Sequence, residues 1–422
     1  MTIEEARALI RGVEWRGSRP GLSRVRELLH RIGDPQDTLQ FVHIAGTNGK
    51  GSTAAMLAAV LQAAGYTTGL FTSPFLEQFA ERMQVNGQPI PDAELAAACE
   101  TLQPCIAAMD DQPTEFELVT AAAMLWFQRR GCDIVVLEVG LGGRLDATNV
   151  IGAPACAVIT NIGDAHLEAL GDRPGILRAK SEILQGMGPD AVIFANGDDA
   201  LLSAADFGRK TVLFGLGENC AVRAADVQHC GESLSCCILA GERSFPVTVP
   251  AYGTYMIYSV LAAAAVSLEL GLSDAEIARG LARYETVGRR SRVVKTGYCT
   301  LVDDCYNANP TSDRAAIDSL ASLSGRHVCI LGDMLEMGGN APELHRSVGE
   351  YAAAHGVDLV ITQGELAKYI AEGAGTAGAH YADRASLLAA LPELLHEGDV
   401  VLVKASHGAH FEEISEAVKQ LS

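Results

Sequence analysis

Apolar, strand-like runs that alternate with alanine-rich helical stretches constrain this chain more than any other feature. Runs at 39–45 (LQFVHIA), 133–138 (DIVVLE), 156–160 (CAVIT) and 190–195 (DAVIFA) are β-rich, and amphipathic segments separate them. Strands with no polar face must be covered on both sides, so the alternation predicts an α/β fold with a mainly parallel sheet between helices. Residues 218–249 break the rhythm with polar–apolar alternation and glycines, which predicts a small antiparallel subsheet. Long helices are expected at about 255–271 and 274–284. Strands resume at 291–296 and 299–303, and four more strand–helix pairs follow, including 327–331 (HVCIL), 357–361 (VDLVI) and 399–403 (DVVLV). With 422 residues the chain exceeds one ordinary domain. A boundary near 290 divides it into residues 1–290 and a Rossmann-like unit of residues 291–422.

Charge and composition narrow the function. The net charge of −20 argues against a nucleic-acid surface, which needs a basic face, but not against a nucleotide in a local pocket. No apolar run approaches the roughly 18 residues of a membrane span, and the N-terminus (MTIEEARALIRGVEW) reads as a partly acidic amphipathic helix, not a signal peptide. Eleven scattered cysteines, an odd number without CxxC spacing, predict reduced thiols. A cytoplasmic, monomeric enzyme is expected.

The strongest local signal is HIAGTNGKGST, residues 43–53, between a strand and a helix. Gly46 and Gly49 let the backbone curl so that amides along Gly46, Thr47, Asn48, Gly49, Lys50, Gly51, Ser52 and Thr53 face phosphate oxygens. The helix N-terminus adds its dipole and Lys50 a point charge. The generic phosphate loop places Ser or Thr directly after the lysine; here Gly51 stands there and Ser52 follows. The generic match therefore fails although the physics survives, and the first domain is read as a P-loop ATPase unit on that physics. A second signal, VLEVGLGGRLDATNVI (136–151), puts Glu138 at the end of an apolar strand. A carboxylate there meets the first loop across the top of a parallel sheet, where a magnesium ion finds the oxygen ligands it prefers.

Both segments resemble signatures of folylpolyglutamate and dihydrofolate synthases, as do FTSPFLEQFAERMQVNG (71–87) and TEFELVTAAAMLWF (114–127). After residue 155 the likeness changes. ITNIGDAHLEALGDRPGILRAKSEIL (159–184), VDDCYNANPTSDRAAIDSL (302–320), CILGDMLEMGGNAPELHRSVG (329–349) and DVVLVKASHGAHFEEI (399–414) resemble the Mur ligases that add D-alanyl-D-alanine to UDP-MurNAc-tripeptide. Both groups belong to one superfamily of ATP-dependent acid–amine ligases acting through an acyl phosphate.

The resemblance implies roles. Lys50, His166 and Lys180 would be catalytic, and Ser52, Ser73, Glu138, His166 and Lys180 would hold magnesium. Two ions are expected, the second on a carbamylated Lys180. Asn307 and Asn309 would recognise the nucleotide at an adenine edge or else an incoming amine, and Arg289 or Arg290 would reach the nucleotide's phosphates. Phe75, Phe116, Asp304, Asp333, Glu336 and His345 are the candidates for substrate contact. Three departures stand beside these matches. The superfamily's Gly-x-His with Asn four residues later is Gly253-Thr254-Tyr255 with Ser259; SPHL is Ser73-Pro74-Phe75-Leu76; and an AHNP-like motif becomes Asn307-Ala308-Asn309-Pro310.

The expected acceptor is a pterin or folate-like carboxylate. UDP-MurNAc-tripeptide is the alternative, disfavoured because only about 40 residues precede the phosphate loop. A third acceptor from a specialised pathway stays open. The amine is glutamate or a dipeptide. A nucleotide-binding regulator without catalysis is the reading of another class, motivated by Tyr255 and Ser259.

Overall fold

The computed structural model describes residues 1–421 except 15, 16, 18, 76, 77, 153, 165–170 and 287–290. Two sheets organise it. The first has eleven strands: β1 (Phe41–Ala45), β2 (Thr68–Phe71), β3 (Met83–Val85), β4 (Gln88–Pro89), β5 (Ile134–Glu138), β6 (Cys156–Ile159), β7 (Val192–Asn196), β8 (Thr211–Gly215), β9 (Val222–Cys230), β10 (Ser233–Ala240) and β11 (Arg243–Val249). Their spatial order is β11-β10-β9-β8-β7-β6-β1-β5-β2-β3-β4. From β2 to β8 across the centre all pairings are parallel, with β1 between β5 and β6. The second sheet has six strands: β12 (Arg292–Lys295), β13 (Thr300–Asp304), β14 (His327–Leu331), β15 (Leu359–Gln363), β16 (Gly378–Tyr381) and β17 (Val400–Lys404). Its order is β12-β13-β17-β14-β15-β16, parallel except at β12–β13.

The strands form where apolar runs have no polar face: β1, β5, β7 and β17 are buried at every residue. Helices Lys50–Ala63, Met256–Glu269 and Asp274–Leu281 cover one face of the first sheet, packed with Val42, Ile44, Val136 and Val158. Helix Glu115–Arg129 covers the other with Val135 and Leu137. Gly280 is what allows the close crossing of two of these helices, since a Cβ there would lie 2.3 Å from the Val60 Cα.

The expected antiparallel strands of 218–249 form, as an edge of the large sheet. β9 pairs in parallel with β8, through Phe214↔Val222, so β9, β10 and β11 extend the large sheet at one edge. Their inward residues Leu234, Ile238, Phe245 and Val249 join the same core as Val260 and Leu261, which explains the attachment. The expected division near residue 290 falls on residues outside the described set. No described helix is long and apolar enough to cross a membrane.

Candidate active site

The loop after β1 turns sharply because two glycines allow it. Gly46 has φ +152°, and a Cβ there would lie 1.7 Å from the Thr160 hydroxyl oxygen. Gly49 has φ +78° and is the N-cap of helix Lys50–Ala63. The loop's backbone is pinned from the neighbouring strand end. Asn48 N–H donates to Asn161 Oδ1 at 2.9 Å, while its carbonyl accepts from Thr160 Oγ1 at 2.7 Å and Asn161 Nδ2 at 3.0 Å. Thr47 donates its N–H to the Asn161 carbonyl and accepts from Gly163 N–H through its hydroxyl. The sequence had not singled out Thr160 and Asn161, although TN directly after a buried strand is the kind of short polar pair that holds a neighbouring loop. Gly51, Ser52 and Thr53 open the helix, with Ser52 and Thr53 buried.

Lysines approach this loop from two sides. Lys50 Nζ donates to the carbonyls of Gly46 at 3.1 Å and Thr47 at 3.4 Å. Lys180, buried near the end of helix Arg173–Ser181, donates to the Gly46 carbonyl at 2.7 Å. Burial, and then the nearby positive charge of Lys50, push the Lys180 ammonium well below the ordinary lysine range. Gly143 positions that helix: a Cβ there would sit 2.0 Å from the Ala179 carbonyl oxygen.

Glu138 ends β5, where it is buried and accepts a hydrogen bond from Ser73 N–H at 3.2 Å. Of the expected magnesium ligands the structure brings Ser73 and Glu138 into contact; their hydroxyl and carboxylate oxygens, and the hydroxyl of Ser52 in the phosphate loop, are of the kind magnesium prefers. His166 lies outside the described residues, as do Arg289 and Arg290. Among the described residues no three His, Cys, Asp or Glu side chains gather as a metal cluster. Behind Glu138 runs a buried polar chain. Asp146 accepts from the amides of Leu141 and Thr148, and His43 Nε2 meets the Thr148 hydroxyl at 2.9 Å. Burial lowers His43 to about 3, so the ring stays neutral and ties β1 to the GLGGRLDATN segment.

The second sheet presses its own loop against this site. Asn309, the N-cap of helix Pro310–Leu320, forms two side-chain hydrogen bonds with Asn48, at 2.9 and 3.3 Å. Tyr306 donates its hydroxyl to the Ser73 carbonyl at 2.8 Å. Asn307 is exposed, with its carbonyl held by Lys404 Nζ at 2.7 Å. Lys404 also binds Asp304 at 2.7 Å, and Asp304 accepts from the Ser291 N–H at 2.9 Å. Asp304 is therefore committed to an internal ion pair. Lys404, another residue the sequence reading passed over, was visible as a lone lysine ending a buried strand.

Other candidates are held elsewhere. The Asp333 carboxylate accepts from the amides of Glu365, Leu366 and Ala367. His345 is fully buried; Nε2 accepts from Met334 N–H at 2.9 Å and Nδ1 faces the Ala341 carbonyl at 2.7 Å. That pairing fixes a neutral tautomer that holds the GDMLEMG loop. Glu336 sits in that loop at φ +62°. Phe75 is exposed near the site, whereas Phe116 packs against Phe71, 6.0 Å between centroids, with Arg82 over its ring. Tyr255 and Ser259 also have defined places. Tyr255 is hydrogen-bonded to the Ser291 hydroxyl, its ring covers Gly253, and Ser259 Oγ lies 3.4 Å from where a Cβ on Gly49 would stand.

Comparison with known proteins bears on the family and the fold. Residues 44–267 match the family model of the Mur ligase middle domain, and residues 288–407 match that of the Mur ligase glutamate ligase domain. Over 292 residues the chain is 35% identical to UDP-N-acetylmuramoyl-tripeptide–D-alanyl-D-alanine ligase of Bacillus subtilis (strain 168), covering 67% of this chain and 63% of that one. Over 174 residues it is 47% identical to the dihydrofolate synthase/folylpolyglutamate synthase of the same organism, covering 40% of each. The chain thus spans less than two thirds of the length of both curated relatives. Folylpolyglutamate synthase of Mycobacterium tuberculosis, solved with ADP and AMPPCP, shares the fold with a TM-score of 0.82 over 100% of both chains, at 23% identity.

Proposed function

The chain belongs to the Mur ligase family, and on that footing we propose that it is an ATP-dependent acid–amine ligase working through an acyl phosphate. The observation that carries this reading is the convergence of Lys50 and Lys180 on the phosphate loop, with Glu138 and Ser73 beside it. The acceptor carboxylate attacks the γ-phosphorus of ATP and ADP leaves. The amine then attacks the acyl carbon, phosphate leaves, and the nitrogen loses a proton.

The chain's own contribution is placement and charge. Loop amides cradle phosphate oxygens, and Lys50 offsets the charge that develops during transfer. Ser52, Ser73 and Glu138, with His166, would hold magnesium, which when bound neutralises phosphate charge. Lys180 is held with a depressed proton affinity, the state a lysine needs to take up carbon dioxide; a carbamate there would supply the anionic ligand of a second ion.

A folate-type acceptor is favoured by the higher identity to the dihydrofolate synthase/folylpolyglutamate synthase. The longer match to the D-alanyl-D-alanine ligase favours a muramyl acceptor as the second reading and a dipeptide as the rival amine to glutamate. A cytoplasmic setting fits the described cysteines, all free. The test is ADP release in a grid of pterin, folate and UDP-muramyl acceptors against glutamate and D-Ala-D-Ala. One acceptor–amine pair should give ADP and amide in equal amounts. ATP binding without turnover across the grid and a wider acid panel would favour a regulator instead.

A further inference from the structure

The phosphate loop and the second sheet meet through a reciprocal pair of amides. Asn48 Nδ2 donates to Asn309 Oδ1 at 3.3 Å, and Asn309 Nδ2 donates to Asn48 Oδ1 at 2.9 Å, across 261 positions of sequence. Neither residue can adjust freely. The Asn48 backbone is held by Thr160 and Asn161. Asn309 is 1% exposed, and its Oδ1 also accepts from Ser312 N–H at 2.9 Å to cap the following helix. An amide oxygen has two lone pairs, so both bonds to it are satisfied together.

Two planar amides make both bonds only at one separation and one relative tilt. The pair therefore exists at one angle between the sheets and is lost when the cleft opens by a few ångströms. Two nearby contacts share that geometry: Tyr306 donates to the Ser73 carbonyl, and the Thr311 hydroxyl lies 3.3 Å from where a Cβ on Gly163 would stand.

We propose that Asn309 is a positioning residue: through Asn48 it registers the second domain on the phosphate loop, and it does not itself hold the nucleotide. The inference rests on the ligase reading for its kinetic consequence. An amine carried by the second domain meets the acyl phosphate at a set distance only while the pair is made.

Two variants break the pair and leave the rest in place. Asn309→Ser keeps a capping hydroxyl for the helix but is too short to reach Asn48. Asn48→Ala keeps every backbone bond of the loop. For Asn309→Ser AMPPCP affinity should stay within about threefold, and for each variant amide formation at saturating substrates should fall roughly tenfold while ADP release without amide rises. The double variant should be no slower than the slower single variant. Asn309→Asp, which keeps the cap and one acceptor for Asn48 Nδ2, should fall between. A tenfold loss of AMPPCP affinity in Asn309→Ser with unchanged turnover, or losses that multiply in the double variant, would overturn the proposal. Small-angle scattering with AMPPCP tests it without knowing the acceptor. Asn309→Ser should give a larger radius of gyration than the parent protein, and equal radii would also overturn the proposal even if no acceptor in the grid is turned over.

Discussion

Lys50 and Lys180 donate to one acceptor, the carbonyl oxygen of Gly46, at 3.1 and 2.7 Å. Two ammonium groups on one oxygen repel each other, and the second is almost fully buried. A buried lysine beside a cation releases its proton readily, so the loop itself prepares the neutral amine of Lys180.

Lys50→Ala should act twice. Removing a point charge from the phosphoryl transfer site should lower kcat by about 100-fold or more, with little change in thermal stability. It should also raise the pKa of Lys180, because the positive charge that disfavoured a proton there is gone. Carbamate forms only on the neutral amine, so its ¹³C signal under labelled bicarbonate should appear at higher pH than in the parent. An unchanged midpoint would show that burial alone sets Lys180.

Glu138→Gln keeps the side-chain shape and its ability to accept from Ser73 N–H, but removes the charge. The magnesium concentration for half-maximal ADP formation should rise roughly tenfold or more while the melting temperature holds. A titration that matches the parent would make Glu138 a structural acceptor for the Ser73 loop.

The parallel sheet is legible in the sequence because β1, β5 and β7 are buried on both faces, which leaves an unmistakable apolar run. Glu138 stands out because it ends such a strand, and Lys50 because it opens the helix that follows one, each within a glycine-rich motif. The Lys50–Lys180 convergence is not legible in the sequence, since 130 residues separate the two and it is packing, of Gly143 on Ala179 and of Ile176 against Ala45 and Ile159, that brings that helix close. Asp333 and His345, candidates for substrate contact by resemblance, each hold a loop in the structure. A buried histidine with both nitrogens committed looks the same in sequence as a ligand. The distinction lies in backbone partners that no spacing reveals.

Gly143→Ala tests that packing. A methyl group 2.0 Å from the Ala179 carbonyl oxygen cannot be absorbed without moving backbone, because the obstacle is helix main chain. We expect destabilisation of about 1–3 kcal/mol in urea melts and a disproportionate loss of kcat as Lys180 shifts from Gly46. A variant with parent stability and turnover would show that the two segments separate at no cost.

Asp313 predicts a pH dependence of stability. It is fully buried beside Lys404 at 3.9 Å, and burial raises its carboxyl to about 7 despite that lysine. Its other near neighbours are the Ser312 hydroxyl, the Asn309 amide, Asp304 and Cys329. The folded state then holds a proton that the unfolded chain releases near 3.8, so this group's contribution falls as pH rises from about 4 to 7. Asp313→Asn removes that titration. Between pH 5 and 7.5 the variant should lose less stability than the parent, by roughly 2 kcal/mol in matched urea melts. Parallel curves would mean that Asp313 is ionised throughout.

Substrate choice should divide along the cleft. Phe75, Leu141 and Leu145 are exposed large side chains, and they follow β2 and β5, which are neighbours in the sheet. Phe75, two residues after Ser73, offers an exposed aromatic face that suits a flat or alkyl portion of the acceptor. Phe75→Ala should raise acceptor KM about fivefold to tenfold, the effect of losing one aromatic contact, and leave the amine KM unchanged. Phe116→Ala should behave differently. That ring packs on Phe71 and occupies the space beside Gly140, where a Cβ would lie 2.6 Å from it, so its loss should appear first as instability. On the other side, Asn307 is the exposed residue of the YNANP loop, and Asn307→Ala should raise amine KM with acceptor KM intact. If Asn307→Ala changed acceptor preference, or Phe75→Ala changed the amine, the two domains would not divide recognition in this way.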